Sequence, residues 1–368
     1  MSTADVYYAT PRCRLGDSLL NKLDRVLTAA GIETINFKNK FCAIKIHFGE
    51  PGNLAFLRPN FAKTVVERVK SLGGLPFLTD CGTLYVGRRT HALAHLEAAF
   101  ENGFTPLSTG CQIIIGDGLK GTDEVEVPVA GEIVKSARIG RAIMDADIVI
   151  SLNHFKGHEL TGFGGAIKNL GMGSGSRAGK MIMHNDGKPR VKKSLCVGCE
   201  TCAKFCAQGA IAFKDHKATI NHAKCVGCGR CLGTCNVHAV TIPWDTANSS
   251  LSFKMVEYAL AVVKGRPNFH INVINHVSPY CDCHAENDAA VVPDLGVYAS
   301  FDPVALDLAS IEAVNQATLL SGSIMSERDS PGKDVFTAIH PTTDWREQIA
   351  HGVKIGLGQD KYKLNLVN

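Results

Sequence analysis

The 368-residue chain contains no apolar run approaching the ~18 to 20 residues that a membrane-spanning helix requires. Its opening, MSTADVYYATPRC, lacks the basic and apolar regions of a signal peptide, so a cytoplasmic protein with no membrane partner is expected. Aromatic residues make up only 7% of the chain, and the basic residues are not interleaved with them, which argues against a nucleic-acid partner. Neither G-x-x-x-x-G-K-S/T nor a properly placed G-x-G-x-x-G occurs, so no nucleotide motif fits. Charge of either sign is nearly cancelled, at a net +4, and the length suits two or three domains with a buried core.

Cysteine, by contrast, is abundant, with fourteen in the chain. Eight of them fall into two copies of C-x-x-C-x-x-C-x-x-x-C, CVGCETCAKFC at 196–206 and CVGCGRCLGTC at 225–235. A 4Fe-4S cube needs a thiolate at each iron corner, and three cysteines two residues apart can wrap three corners while the fourth ligand comes from elsewhere. In two-cluster ferredoxins each fourth cysteine crosses to the other cube. That pattern assigns Cys196, Cys199, Cys202 and Cys235 to one cluster, and Cys225, Cys228, Cys231 and Cys206 to the other. Zinc ribbons also use C-x-x-C, but not eight cysteines at these intervals. The spacing, in a chain with no export signal, points to thiols kept reduced for metal. The proline usual after the fourth cysteine is replaced by Ala207 and Asn236, which removes turn rigidity and no ligand.

The cysteine segment interrupts a pattern that runs on both sides of it. Apolar runs at 41–48, 75–80, 111–116 and 148–153 read as strands, and 58–72, 90–102 and 137–144 have helical period. Residues 125–139 read as an added hairpin. After the cysteines, 251–264 reads as a helix and 269–277 as a strand, and Asp302-Pro303 opens a helix through about Gln316. The expected fold is α/β, with parallel or mixed sheets covered by helices. A small ferredoxin-like α+β unit at 191–245 would be inserted between the two parts of the body, 1–190 and 246–368. That unit carries seven Lys or Arg (192, 193, 204, 214, 217, 224, 230) against three acids (200, 215, 245), while the rest of the chain sums to zero. The excess is either a solvated face that offsets the anionic clusters or a docking face for an acidic redox partner.

The segment SLNHFKGHELTGFGGAIKNLGMGSGSRAGKMIMH, at 151–184, begins at the carboxyl end of an expected strand, the edge at which open α/β sheets bind ligands. Gly162, Gly164 and Gly165 would let the backbone approach an anion, with Lys168 as a point charge. His154, Lys156, His158 and His184 add groups that bind a metal or move a proton. His154, His158 and Lys168 are the candidate catalytic residues, and Gly162, Gly164, Gly165, Lys168 and His184 the candidate cofactor-binding set. A further metal or organic cofactor, or a small anionic ligand, would occupy this place. A third candidate is Cys281-Asp282-Cys283-His284. If the preceding strand continues, Cys281 and Cys283 project from one face, as ligands of a shared metal or as a redox pair served by the clusters. His47 and Glu50 would point into the same crevice, and Asp80, Arg88 and Arg89 end the next strand and open its helix. Cys13, Cys42, Cys81 and Cys111 read as core or incidental thiols.

KIHFGEPGN (45–53), TDCGTLYVGRR (79–89), the 154–184 segment and PDLGVYASFDPVALD (293–307) together resemble the iron-sulfur branch of the family known as domain of unknown function 362. Locally, HELTGFGGAIK (158–168) is similar to a segment of the nickel-pincer lactate racemases. There the resemblance implies a lysine carrying the pincer (Lys168), a nickel-binding histidine sixteen residues later (His184) and an acid-base histidine (His158). The serine of the racemase segment is Gly164 here. Three functions are therefore expected to compete: an oxidoreductase fed by two 4Fe-4S clusters, an electron carrier or docking module, and a racemase-like isomerase.

Overall fold

Apolar, β-branched runs without polar alternation make strands buried on both faces. Ile148–His154 is one, and all seven of its residues are buried. In the computed structural model, which describes residues 3–85, 87–185, 188–225, 227–241, 248–326 and 334–368, this strand lies inside an eight-stranded mixed sheet. Across the sheet the order is Tyr362–Leu366, Ala4–Ala9, Gly296–Ser300, Asn268–Ile274, Ile148–His154, Phe41–Lys45, Leu75–Asp80 and Gln112–Ile115. Neighbours run parallel except at Gly296–Ser300, which is antiparallel to both of its partners. Lys45 lies level with Ser151 on one side and Thr79 on the other, so the carboxyl ends of three adjacent strands meet at one edge.

Helices cover both faces. Leu19–Ala29, Pro59–Ser71 and Ala92–Glu101 enclose one apolar layer, and Ala166–Ser174, Asn248–Val263 and Pro303–Gln316 enclose the other. Each fully buried Val or Leu in these layers contributes roughly 1.5–3 kcal/mol relative to exposure. Pro59–Ser71 follows its sequence signals closely: proline sits at the first turn, and Phe61, Val65, Val66 and Val69 form the buried stripe. Pro303–Gln316 is capped as expected, the Asp302 carboxylate accepting from the backbone N–H of Val304 and Ala305, each at 2.9 Å.

Two expectations require correction. Residues 137–144 do not form one helix: Ser136–Gly140 is a strand paired with Glu124–Pro128, and only Arg141–Asp145 is helical. The spacing of Ala137, Ile139 and Ile143 matched a helix because the inward side of a hairpin and a short following turn bury the same positions. The strand at 269–277 ends at Ile274, and the C-x-C pair lies beyond it in a turn closed by the N–H of His284 on the Cys281 carbonyl at 3.1 Å.

The glycine-rich segment is largely helical, holding Ala166–Ser174 and Arg177–Asn185. A Cβ on Gly171 would strike the Met255 carbonyl, so this glycine lets Ala166–Ser174 lie backbone-close on Asn248–Val263.

Between these helices of the body, residues 188–241 form a small unit with its own apolar cluster around Cys196, Cys202, Ala218, Cys231, Ala239 and Val240. Its two halves repeat at an offset of 29 residues. Thr201–Lys204 and Arg230–Gly233 are matching helical turns, and left-handed backbone recurs at Gly198 and Gly227, at Glu200 and Gly229, and at Gly209 and His238. Arg190–Val191 pairs with Val240–Thr241, and Ile211–Lys214 with Lys217–Ile220. The expected end of the insertion, at 245, lies outside the described residues.

Candidate functional site

The three strand ends at the carboxyl edge of the sheet open into a cavity of about 690 Å³. His154, His158, Lys168 and His184 all line it, together with His47, Glu50, Asp80, Arg89, Lys156 and Cys283. Residues separated by more than two hundred positions in sequence therefore share one chamber, as ligand sites at such an edge do.

One wall is a buried ionic lattice. Lys45 Nζ lies 2.8 Å from Asp80 Oδ1 and donates to Asn169 Oδ1 at 2.7 Å, with both charged side chains essentially inaccessible. Burial acts to raise the Asp80 carboxyl, but Lys45, His95 and His47 outweigh it and hold the carboxyl well below the usual range. Arg89 Nε donates to Glu50 Oε2 at 2.7 Å, and its NH1 lies 2.8 Å from His47 Nε2. Burial and the Arg89 charge push His47 well below the ordinary imidazole value, so it faces the cavity neutral.

The opposite wall carries the C-x-C turn. Lys168 Nζ donates to Cys281 Sγ at 2.9 Å, and the Cys281 side chain also hydrogen-bonds with those of Cys283 and His158. The hydrogen bond from Cys283, joined by the charges of Lys168 and Lys156, holds the Cys281 thiol well below its ordinary value despite complete burial. The same pair raises Cys283, whose proton is the one shared. Burial opposes the charge on Lys168, and the thiolate beside it raises Lys168 above its usual value. Burial and Lys168 lower His158. Its Nδ1 faces Thr161 Oγ1 at 2.7 Å, leaving Nε2 as the nitrogen for Cys281. His184 is pushed down to about 3 by burial and by His158 and Lys168.

The other sequence candidates have different roles. His154 places Nδ1 2.9 Å from each oxygen of Asp282 and Nε2 2.8 Å from the Asn275 carbonyl. One nitrogen is thus committed to Asp282 of the C-x-C turn and the other to the backbone just beyond the strand Asn268–Ile274. Gly165 does not present the helix N-terminus to an outside anion: a Cβ there would strike Asp307, whose carboxylate accepts from the N–H groups of Ala166 at 2.8 Å and Ile167 at 2.9 Å. Burial raises Asp307 to about 6. Gly164 makes room for cations, since a Cβ there would lie 2.8 Å from Lys156 Nζ. Gly162, the first residue of the short strand Gly162–Gly164 that pairs with Lys156–His158, has left-handed backbone. Arg88 turns outward to Glu101. Asp307 and Asn169 carry no signal of their own in the sequence, although Asp307 ends the 293–307 motif, and Asp282 stands out there only as a member of C-D-C-H.

In the 188–241 unit, Cys202 is within electrostatic reach of Cys235, Cys199 and Cys196, and Cys231 of Cys228, Cys225, Cys202 and Cys206. Backbone N–H groups of Ala210, Ala218 and Ala239 donate to the sulfurs of Cys206, Cys196 and Cys235 at 3.3, 3.4 and 3.2 Å. Among the described residues no three His, Cys, Asp or Glu side chains close up into a site for a single metal ion. The unit meets the body where Leu232 packs against Leu84 and Met181, and Leu84 also lines the cavity.

The fold is thus a mixed α/β protein built on a large, mostly parallel sheet flanked by helices. The family model of domain of unknown function 362 (DUF362) matches residues 42–312, and the chain belongs to that family. Among solved structures, the lactate racemase apoprotein from Thermoanaerobacterium thermosaccharolyticum is similar at 12% identity and a TM-score of 0.42, over 86% of this chain and 58% of that one. A structural-genomics protein from Thermotoga maritima is similar at 10% identity and a TM-score of 0.41, over 81% of this chain and 57% of that one. The chain therefore spans less than two thirds of the length of these solved chains. No curated protein matches it. Among the described residues no helix is long and apolar enough to cross a membrane.

Proposed function

We propose that the protein is an iron-sulfur oxidoreductase in which electrons pass through the 188–241 unit into the cavity at the sheet edge. The observation that carries this reading is the Leu232 contact. Leu232, in the helical turn Arg230–Gly233, packs against Leu84, a residue of the cavity wall.

Cys196, Cys199, Cys202 and Cys235 would hold one 4Fe-4S cluster, and Cys225, Cys228, Cys231 and Cys206 the other. The crossed proximity of these thiols and the three N–H donors to sulfur support that donor set. When bound, such clusters supply single electrons at low potential. Cys199 is exposed, whereas Gly229 is buried against Met181 and Arg177, which orients the unit with an outward and an inward end. Lys192, Lys193, Lys204, Lys214, Lys224 and Arg230 are exposed and would attract an acidic redox partner.

Inside the cavity, Lys156 is 5% exposed and makes no hydrogen bond or ion pair with a described residue except through longer-range charge. It is the group best placed to hold a small anionic ligand. His158, lowered below its ordinary value, is positioned to accept a proton, and the Cys281 thiolate lies buried beside Lys168 behind the cavity wall. Replacing Leu232 with Ala tests the route. Anaerobic stopped-flow reduction of the cavity by an electron donor to the clusters should slow while iron content stays the same; an unchanged rate would remove the route.

A second reading, an isomerase with an organometallic cofactor on Lys168, draws support from the convergence of His158, Lys168 and His184 on one cavity. It predicts nickel and added mass on Lys168 in the intact protein. Bare Lys168 and no nickel would discard it. The carrier alternative predicts that no small anion alters reoxidation of the reduced protein.

A further inference from the structure

The C-x-C turn is more than a lining feature of the cavity. Its backbone closes in a tight turn through the His284 N–H on the Cys281 carbonyl at 3.1 Å, which keeps residues 281 and 283 close together. Cys281 is 0% exposed and Cys283 is half-buried on the cavity side. The Lys168 ammonium stands 2.9 Å from Cys281 Sγ, and Cys283, one residue beyond the intervening Asp282, is near enough for the two thiols to perturb each other's protonation. Asp282, between them, is fixed by His154 at 2.9 Å, so the turn is anchored on both sides.

We propose that Cys281 and Cys283 form a dithiol–disulfide couple that stores two electrons in the cavity, between single-electron supply through the 188–241 unit and the cavity's ligand. The electron supply rests on the function proposed above; the sulfur chemistry rests on the turn itself. In the oxidising direction, the Cys283 S–H bond breaks, the two sulfurs join, one proton leaves, and two electrons pass to a small oxyanion held at Lys156, which is itself reduced by two electrons. In the reducing direction, two electrons and one proton restore a thiolate on Cys281 and a thiol on Cys283. The electrons come singly, one from each of two iron-sulfur carriers, so the count of carriers matches the count of electrons. The Cys283 proton reaches the Cys281 thiolate first, and His158, beside Cys281, is the base that takes it onward. Lys168 faces the negative charge that returns on reduction. A disulfide spanning a single intervening residue is strained, and strained disulfides have the more oxidising potentials of pairs that cycle.

The test uses the full chain, purified without oxygen. After treatment with diamide and blocking with N-ethylmaleimide, the peptide containing residues 281–283 should be unlabelled and lighter by two hydrogens. Titration of this oxidised protein with reduced methyl viologen should then consume about four electron equivalents, one per cluster and two for the sulfur pair. Cys283→Ser should consume about two. Labelling of both cysteines after diamide, or a native count of about two with iron intact, overturns the couple and leaves the cluster assignment standing. A disulfide that forms in a protein lacking cluster electrons overturns the function proposed above and leaves the couple's chemistry standing. The native labelling result decides the matter even where Cys283→Ser fails to fold.

Discussion

Replacing Lys168 with methionine removes the cation that faces Cys281 and keeps most of the side chain's volume. Coulomb's law at the observed 2.9 Å gives an attraction of about 6 kcal/mol at an effective dielectric constant of ~20. Cys283, Lys156 and His158 continue to favour the thiolate, so the net loss should be about half of that, near 3 kcal/mol, in line with removal of one partner from a buried pair. Three kcal/mol corresponds to about two pKa units. The midpoint of Cys281 alkylation by iodoacetamide, followed by peptide mass spectrometry across pH, should therefore move up by about two units in Lys168→Met. The linkage has a definite sign. A thiol whose folded value is depressed stabilises the fold above its unfolded value of about 8.5, and that contribution is lost as pH falls through the folded value. Acid destabilisation should accordingly begin at higher pH in the variant. An alkylation midpoint unchanged by the substitution would refute the assignment of Lys168 as the thiolate's counter-charge.

Asp307→Ala leaves the N–H groups of Ala166 and Ile167 and the amide of Asn272 without their acceptor, and should destabilise the protein by about 2–4 kcal/mol in a thermal or urea melt. Lys45→Met strands the Asp80 carboxylate in the sheet edge, and a loss of about 3–5 kcal/mol is expected by the same melts. Gly229→Ala places a Cβ 2.6 Å from Met181 Sδ at a left-handed position; it should loosen the 188–241 unit from the body by about 1–3 kcal/mol, seen as faster amide exchange in Arg177–Asn185. His184, held down to about 3, should show no imidazole titration between pH 5 and 8 by NMR.

The fold was readable wherever local pattern and tertiary burial agree. Leu75–Asp80 has the expected bounds, and Pro59–Ser71 and Pro303–Gln316 carry their own start signals in Pro59 and Asp302-Pro303. Ala4–Ala9, Gly296–Ser300 and Tyr362–Leu366 were not legible, because a strand on that side of the sheet is defined by partners roughly three hundred residues away and not by its own short run. The site divides in the same way. His158, Lys168 and His184 announce themselves by residue type and line one cavity. The catalytic candidacy of His154 and the anion-binding candidacy of Gly165 depended on what surrounds them, and long-range partners fill those places: Asp282 takes His154, and Asp307 takes the helix N-terminus at Gly165. Likewise C-x-C could be read as a pair from spacing, but its hydrogen bond to Lys168 joins positions 113 residues apart.

The proposed function stands on two clusters held by the repeated cysteines, through which electrons would pass. Iron and acid-labile sulfide measured on the anaerobically purified protein, with electron paramagnetic resonance of the reduced form, test it most directly. About eight irons and eight sulfides per chain, with the signals of two reduced, interacting 4Fe-4S clusters, are expected. Zinc in place of iron, or iron without labile sulfide, would contradict it.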